Sequence, residues 1–237
     1  MRIDRVFRVC YTGYPDRAER LREATSAYLA PLGATAETVW QFPSPWERWI
    51  LDRAPHIPFL DSHPGCFGAG IGHYRAIKTA YELGSQGVLV MEDDCRFRKG
   101  LDLALALAKA PADATCLMLD HFTDRDALGG VEGGWQRVRR AYSSACYALS
   151  RAGMRQLIGA HEAPTVRREG PGAALVRTCD NYTNEEWMGR DARIYVAVPN
   201  LAVQCLCPGE SNCGRNHCIG KYERMGVNLG DFDTFQP

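Results

Sequence analysis

No stretch of this sequence approaches the about 20 consecutive apolar residues of a membrane-spanning helix. There is no excess of either charge, because 28 Lys and Arg balance 28 Asp and Glu. A non-specific nucleic-acid binder ordinarily carries a basic surplus, so that class is disfavoured. Residues 1–9 alternate charged with apolar side chains and lack the apolar centre of a secretory leader, so the chain is expected to stay in the cytoplasm. There is no internal repeat and no linker strong enough to divide the chain, and one domain over residues 1–237 is expected. No Cys-x2-Cys pair occurs among the ten cysteines. In an unexported chain, scattered cysteines read as buried thiols rather than disulfides. What is present is ordinary globular material, 46% hydrophobic and 24% charged.

Along the chain, residues 5–10 read as a strand, followed by a turn at Gly13 and Pro15. Asp16 caps a helix over 17–30, with Ala18, Leu21, Ala24 and Tyr28 on one face. A second strand follows over 36–40, and then a proline-rich loop over 42–64. Residues 65–72 are glycine-rich and lead into a helix over 73–83. Residues 87–91 form an apolar, β-branched run typical of a strand buried on both faces. A helix over 101–108, a buried strand over 114–119 and a glycine-rich loop over 129–134 come next. Residues 135–149 read as one or two strands, Ser150 caps a helix over 151–158, and 193–198 is the last clear strand. Strands alternating with helices predict an α/β fold with a mostly parallel central sheet flanked by helices.

Glu92-Asp93-Asp94, directly after the buried run, is the sharpest local feature. In open α/β sheets, ligands bind beyond the carboxyl ends of the strands. Three adjacent carboxylates there repel one another unless a cation neutralises them. Hard oxygen ligands suit Mg²⁺ or Mn²⁺, especially with a diphosphate supplying further oxygens. Such an ion stabilises charge on a departing phosphate. A solvated turn with a helix cap is the plainer alternative.

The order of these pieces resembles family-25 glycosyltransferases, the lipooligosaccharide-type and collagen galactosyltransferases. The resemblance is carried by Gly68-Ala69-Gly70-Ile71-Gly72-His73, a helix, and Val88-Leu89-Val90-Met91-Glu92-Asp93-Asp94. The opening strand with Tyr11, the Asp16-Arg17 helix start and Arg20 also fit, as does the small-residue segment 141–153. Asp180-Asn181-Tyr182 and residues 194–204 complete it. Gly72 and Ala69 depart from the family's common Ser and Cys, and the cysteine cluster after Gln204 has no counterpart. The resemblance implies a GT-A-like, Rossmann-type sheet, a UDP-sugar donor, a divalent ion and inverting displacement at the anomeric carbon. It implies Asp94 as the direct metal ligand and Asp93 at the donor ribose or sugar, with Glu92 in the same donor site. Tyr11, Thr12 and Arg17 would lie near the nucleotide, although Arg17 also reads as a solvated first-turn residue.

Inverting transfer needs a carboxylate to take the acceptor hydroxyl's proton. The candidates are Asp180, Asp120, Glu185 and Glu186, with Asp180 preferred for its counterpart in the family and Asp120 second, at the end of a buried strand. His73 is expected to open a helix and there to meet the diphosphate; a buried structural histidine is the alternative. His121 and His217 are other options for a metal or phosphate contact. Cys205, Cys207, Cys213 and Cys218, with His217, hold enough soft ligands for a structural zinc, but the spacing is not that of a finger and no stoichiometric zinc is expected.

The leading expectation is therefore a cytoplasmic, Mn²⁺- or Mg²⁺-dependent glycosyltransferase acting on a nucleotide-sugar donor and a saccharide or other hydroxyl-bearing acceptor. One alternative acceptor is a modified DNA base, met by a local basic face of Arg137, Arg139, Arg140, Arg167 and Arg168. Two other classes compete: a metal-dependent phosphoryl-transfer or hydrolytic enzyme, and a non-catalytic zinc-binding protein.

Overall fold

A computed structural model describes residues 1–11, 15–41, 64–122, 127–139, 141, 143–162, 191–204 and 215–233. Strand β1 (Arg5–Tyr11) is followed by helix α1 (Pro15–Leu29), a 3₁₀ turn (Ala30–Leu32) and β2 (Thr35–Gln41). Helix α2 (Pro64–Glu82), β3 (Gly87–Glu92), β4 (Cys95–Phe97) and α3 (Leu103–Ala108) come next. Then follow β5 (Cys116–Met118), β6 (Ala127–Glu132), β7 (Trp135–Val138), β8 (Cys146–Ser150) and α4 (Arg151–Glu162). Strands β9 (Ile194–Ala197) and β10 (Ala202–Gln204), helix α5 (Arg215–Arg224) and a 3₁₀ turn (Leu229–Asp231) complete the described elements.

Among the described residues, eight strands form one sheet in the order β2-β1-β3-β8-β5-β9-β7-β6. β1 is parallel to β2 and β3, and β5 is parallel to β9. β8 and β7 run against their neighbours, so the other six strands share one direction. This is the expected α/β sheet, mostly parallel and flanked by helices. Alternation along each strand splits the core into two layers. Val6, Leu89, Leu117 and Ala148 face Leu21 of α1 and Leu103 and Leu107 of α3. Phe7, Val88, Val90 and Leu149 face Ala76 and Ile77 of α2 and Met154 and Leu157 of α4. Burial on both faces explains why β3 reads as an unbroken apolar run. At its start, a Cβ on Gly87 would lie 2.1 Å from the Arg2 carbonyl oxygen, a position only glycine can fill.

Three local expectations are corrected. Helix α2 begins at Pro64 and runs through the glycine-rich segment, so His73 lies in its interior. Glycine costs about 1 kcal/mol in a helix interior; here Gly72, in line with Ala76 and Ala80, and Gly70, in line with Ile77, are both buried. Residues 129–132 belong to β6, an exposed edge strand hairpinned to β7 through Gly133 and Gly134, both at positive φ. The last strand region is two strands in two sheets, because β10 leaves the main sheet to pair antiparallel with β4. Ser150 does serve the α4 start, accepting from the Gly153 amide at 3.3 Å. Cys10, Cys95, Cys116 and Cys146 are buried free thiols, as expected. No helix among the described residues is long and apolar enough to cross a membrane.

Candidate functional site

β1, β3, β5 and β9 all point their carboxyl ends at one sheet edge, and Glu92-Asp93-Asp94 emerges there from β3. The three carboxylates are held in three different ways. Glu92 Oε1 accepts from His73 Nε2 at 3.1 Å and from Ser144 Oγ at 2.5 Å. His73 Nδ1 in turn lies 2.9 Å from the Tyr147 hydroxyl of β8. The interior position of His73 thus aims it across the sheet at Glu92. Burial alone would raise the Glu92 pKa, but the hydrogen bond and charge of His73, with the Ser144 bond, bring it below the ordinary value.

Asp93 is pinned between the end of β1 and the first turn of α1. Its Oδ2 accepts the Tyr11 amide at 2.9 Å, and its Oδ1 meets Arg17 Nη2 at 3.1 Å. Burial still raises its pKa despite those partners. Asp94 is the exception. Its Oδ2 is 4.0 Å from Arg17 Nη2, and its Oδ1 is buried with no hydrogen-bond partner. Burial and the neighbouring Glu92 and Asp93 charges push its pKa well above the usual carboxylate range, against Arg17 and Arg96. Arg96 is buried in β4, immediately beyond the triplet.

The site therefore joins Tyr11, Arg17, His73, Glu92, Asp93 and Asp94, all singled out from the sequence. Thr12, Asp180, Glu185 and Glu186 lie outside the described residues. So do Cys205, Cys207 and Cys213, the side chains of His217 and Cys218, and Arg140, Arg167 and Arg168. Arg137 and Arg139 lie on and just after β7, four strands along the sheet from β3.

Asp120, at the end of β5, is fully buried. It accepts from Ser143 Oγ at 2.5 Å, the Tyr222 hydroxyl at 2.7 Å and Asn200 Nδ2 at 3.3 Å. That is the geometry of an anchor holding β8, β9 and α5 to the edge. Ser143 adopts φ 119°, which non-glycine residues rarely occupy, and its Oγ also accepts the Ala145 amide at 3.2 Å. His121 is buried and donates from Nε2 to the Ala197 carbonyl at 2.8 Å. Sequence reasoning does not foresee Ser144, Tyr147, Asn200, Tyr222 and Arg96 as partners. Only the small-residue segment 141–153 signals any of them, by placing Ser143, Ser144 and Tyr147 near a strand start.

No protein-family model matches the chain, and no curated protein matches it. Among solved structures, it is similar to a glycosyltransferase involved in the glycosylation of the major capsid of PBCV-1. That match has a TM-score of 0.45 at 12% identity and covers 94% of this chain and 99% of that one. It is also similar to a structure described as mannose-1-phosphate geranyltransferase from Thermus thermophilus. There the TM-score is 0.42 at 16% identity, covering 82% of this chain and 74% of that one.

Proposed function

We propose that the chain is an inverting glycosyltransferase. It would move a sugar from a nucleotide-sugar donor, with UDP the leading nucleotide, to an acceptor hydroxyl, with Mn²⁺ or Mg²⁺ at Asp94. The observation that carries this reading is the division of labour within the triplet. Glu92 and Asp93 are committed to protein donors, whereas Asp94 presents a buried oxygen without a partner. A hard cation fits that oxygen and offsets the burial and like-charge repulsion that raise the Asp94 pKa. Among the described residues no group of three or more His, Cys, Asp or Glu side chains could hold a metal. The remaining ligands would then be the donor's phosphate oxygens and water, as Mg²⁺ commonly prefers. When bound, the ion supplies Lewis-acid neutralisation of the departing diphosphate.

The chain's own residues do the rest. His73 and Ser144 hold Glu92 inward, so that the triplet keeps one orientation. Tyr11 and Arg17, at the end of β1 and the start of α1, flank the space beside the acid pair where the nucleotide would lie, with Thr12 between them in sequence. Asp180 takes the acceptor hydroxyl's proton on this reading, a role supported by its place in the family-25 resemblance, and Asp120 braces the edge. The acceptor is a saccharide or another hydroxyl compound, with a modified DNA base as the alternative.

Asp94→Asn tests the reading. The variant should fold, since Asp94 Oδ1 has no hydrogen-bond partner to lose, yet lose Mn²⁺-dependent UDP binding in calorimetry. Unchanged, metal-dependent UDP affinity would remove Asp94 from the site. Release of free nucleoside diphosphate and sugar, rather than a sugar phosphate, separates a transferase from a phosphoryl hydrolase.

A further inference from the structure

Arg17 is buried at the start of α1, and its guanidinium stands beside both aspartates of the triplet, 3.1 Å from Asp93 and 4.0 Å from Asp94. We propose that Arg17 is the built-in counter-cation of the acid pair, holding the place of positive charge until donor and metal arrive together. This rests on the metal-dependent transferase reading above.

Three observations support it. All three side chains are largely withdrawn from water, with 7% exposure at Arg17, 10% at Asp93 and 15% at Asp94. In such a site, two uncompensated carboxylates are costly, and the shared Arg17 guanidinium, with buried Arg96 as the other nearby cation, offsets part of that cost. Next, Asp93 is fixed on its other oxygen by the Tyr11 amide, so the pair cannot turn away from Arg17 together. Finally, the Arg17 contact to Asp94 is long and uses Oδ2, while the partnerless Oδ1 stays ready to ligate. A guanidinium beside the same carboxylate opposes any added cation through like-charge repulsion in a poorly screened pocket. A diphosphate changes the balance. It offers Arg17 a bidentate partner of matching geometry and leaves Asp94 to the metal.

The consequence is positive coupling. Metal alone should bind weakly, and nucleotide should strengthen it, with the reciprocal effect required by linkage. The decisive measurement is calorimetry of Mn²⁺ binding without nucleotide, repeated with UDP, on wild type, Arg17→Gln and Arg17→Lys. Arg17→Gln should bind Mn²⁺ alone at least about 5-fold tighter than wild type and lose most of the Mn²⁺–UDP coupling, within the about 5- to 150-fold range of such couplings. Arg17→Lys keeps the charge, so its affinity for Mn²⁺ alone should stay near wild type, while loss of the bidentate diphosphate contact should weaken the Mn²⁺–UDP coupling. Mn²⁺ affinity in Arg17→Gln equal to or below wild type overturns the proposal. Should Arg17→Gln fail to fold, the wild-type coupling decides, and its absence also overturns the proposal.

Adding Asp94→Asn separates the two readings. Mn²⁺ binding that survives Asp94→Asn in either background defeats the metal assignment itself. Binding that needs Asp94 but ignores Arg17 defeats only the counter-cation role. No Mn²⁺ binding by any variant, with UDP present, defeats both.

Discussion

His73 Nε2 lies 3.1 Å from Glu92 Oε1, joining the interior of α2 to the end of β3. The contact is made where His73 is almost fully buried and backed by Tyr147, so both ends of the imidazole are in use. His73→Ala should leave Glu92 and Tyr147 each short of a buried partner. The expected loss is about 1–3 kcal/mol, roughly 2–12 °C in Tm for a chain of this size. His73→Gln can still donate to Glu92 and should recover part of it. Thermal unfolding of the two variants checks this, and equal losses would show that the Nε2 hydrogen bond is not what matters.

Tyr222 carries the equivalent role for α5. Its hydroxyl donates to Asp120 at 2.7 Å and accepts the Gln204 amide at 2.8 Å. Tyr222→Phe keeps the ring but strips one donor from a fully buried carboxylate, at a cost of about 1–3 kcal/mol in urea unfolding. Asp120→Asn should destabilise similarly. An Asp120→Asn variant with wild-type stability and abolished turnover would instead make Asp120 the catalytic base.

Ser143 offers a test of backbone strain. At φ 119° it is held by its bonds to Asp120 and Ala145. Ser143→Ala removes those bonds and keeps the strain, whereas Ser143→Gly removes both. The glycine variant should therefore be the more stable of the two by about 1 kcal/mol, despite glycine's freer unfolded chain. Denaturant midpoints of the pair decide it, and an alanine variant equal to or above the glycine one would show that the bonds alone set the position.

The parts of this molecule that can be read from sequence are those whose causes are local. Val88 to Met91 announce a strand covered on both faces, and the carboxylates that follow announce a site at its end. β4 escapes such a reading because Cys95-Arg96-Phe97 is too short to show a period, and its pairing with β10 is made across the chain. The start of α2 escapes it because Gly65, Gly68, Gly70 and Gly72 disfavour an isolated helix, yet the helix runs through them. β6 reads as loop because Gly129 and Gly130 interrupt it and nothing buries its face. Strand direction is hidden too, since nothing in residues 146–150 says that β8 runs against β3. The triplet's residue types are legible, but its division into two anchored carboxylates and one open one depends on Ser144 and His73, 52 and 19 positions from Glu92.

His121 links stability to pH. Burial lowers its pKa to about 4 from the ordinary 6.5, against the bond to the Ala197 carbonyl, which favours the protonated form. The unfolded chain therefore takes up a proton below pH 6.5, while the folded protein stays neutral at this site until about pH 4. Where the unfolded state binds more protons, stability rises with pH. The contribution of neutral His121 is thus complete above pH 6.5 and is lost as pH falls through that window. The full loss is about 3 kcal/mol, with about 2 kcal/mol of it gone by about pH 5. His121→Gln can keep a donor to the Ala197 carbonyl without titrating. Urea unfolding at about pH 7 and about pH 5 should show the variant losing about 2 kcal/mol less than wild type between the two. Equal losses would mean that His121 is protonated in the folded protein well above about pH 4, and that the acid sensitivity arises elsewhere.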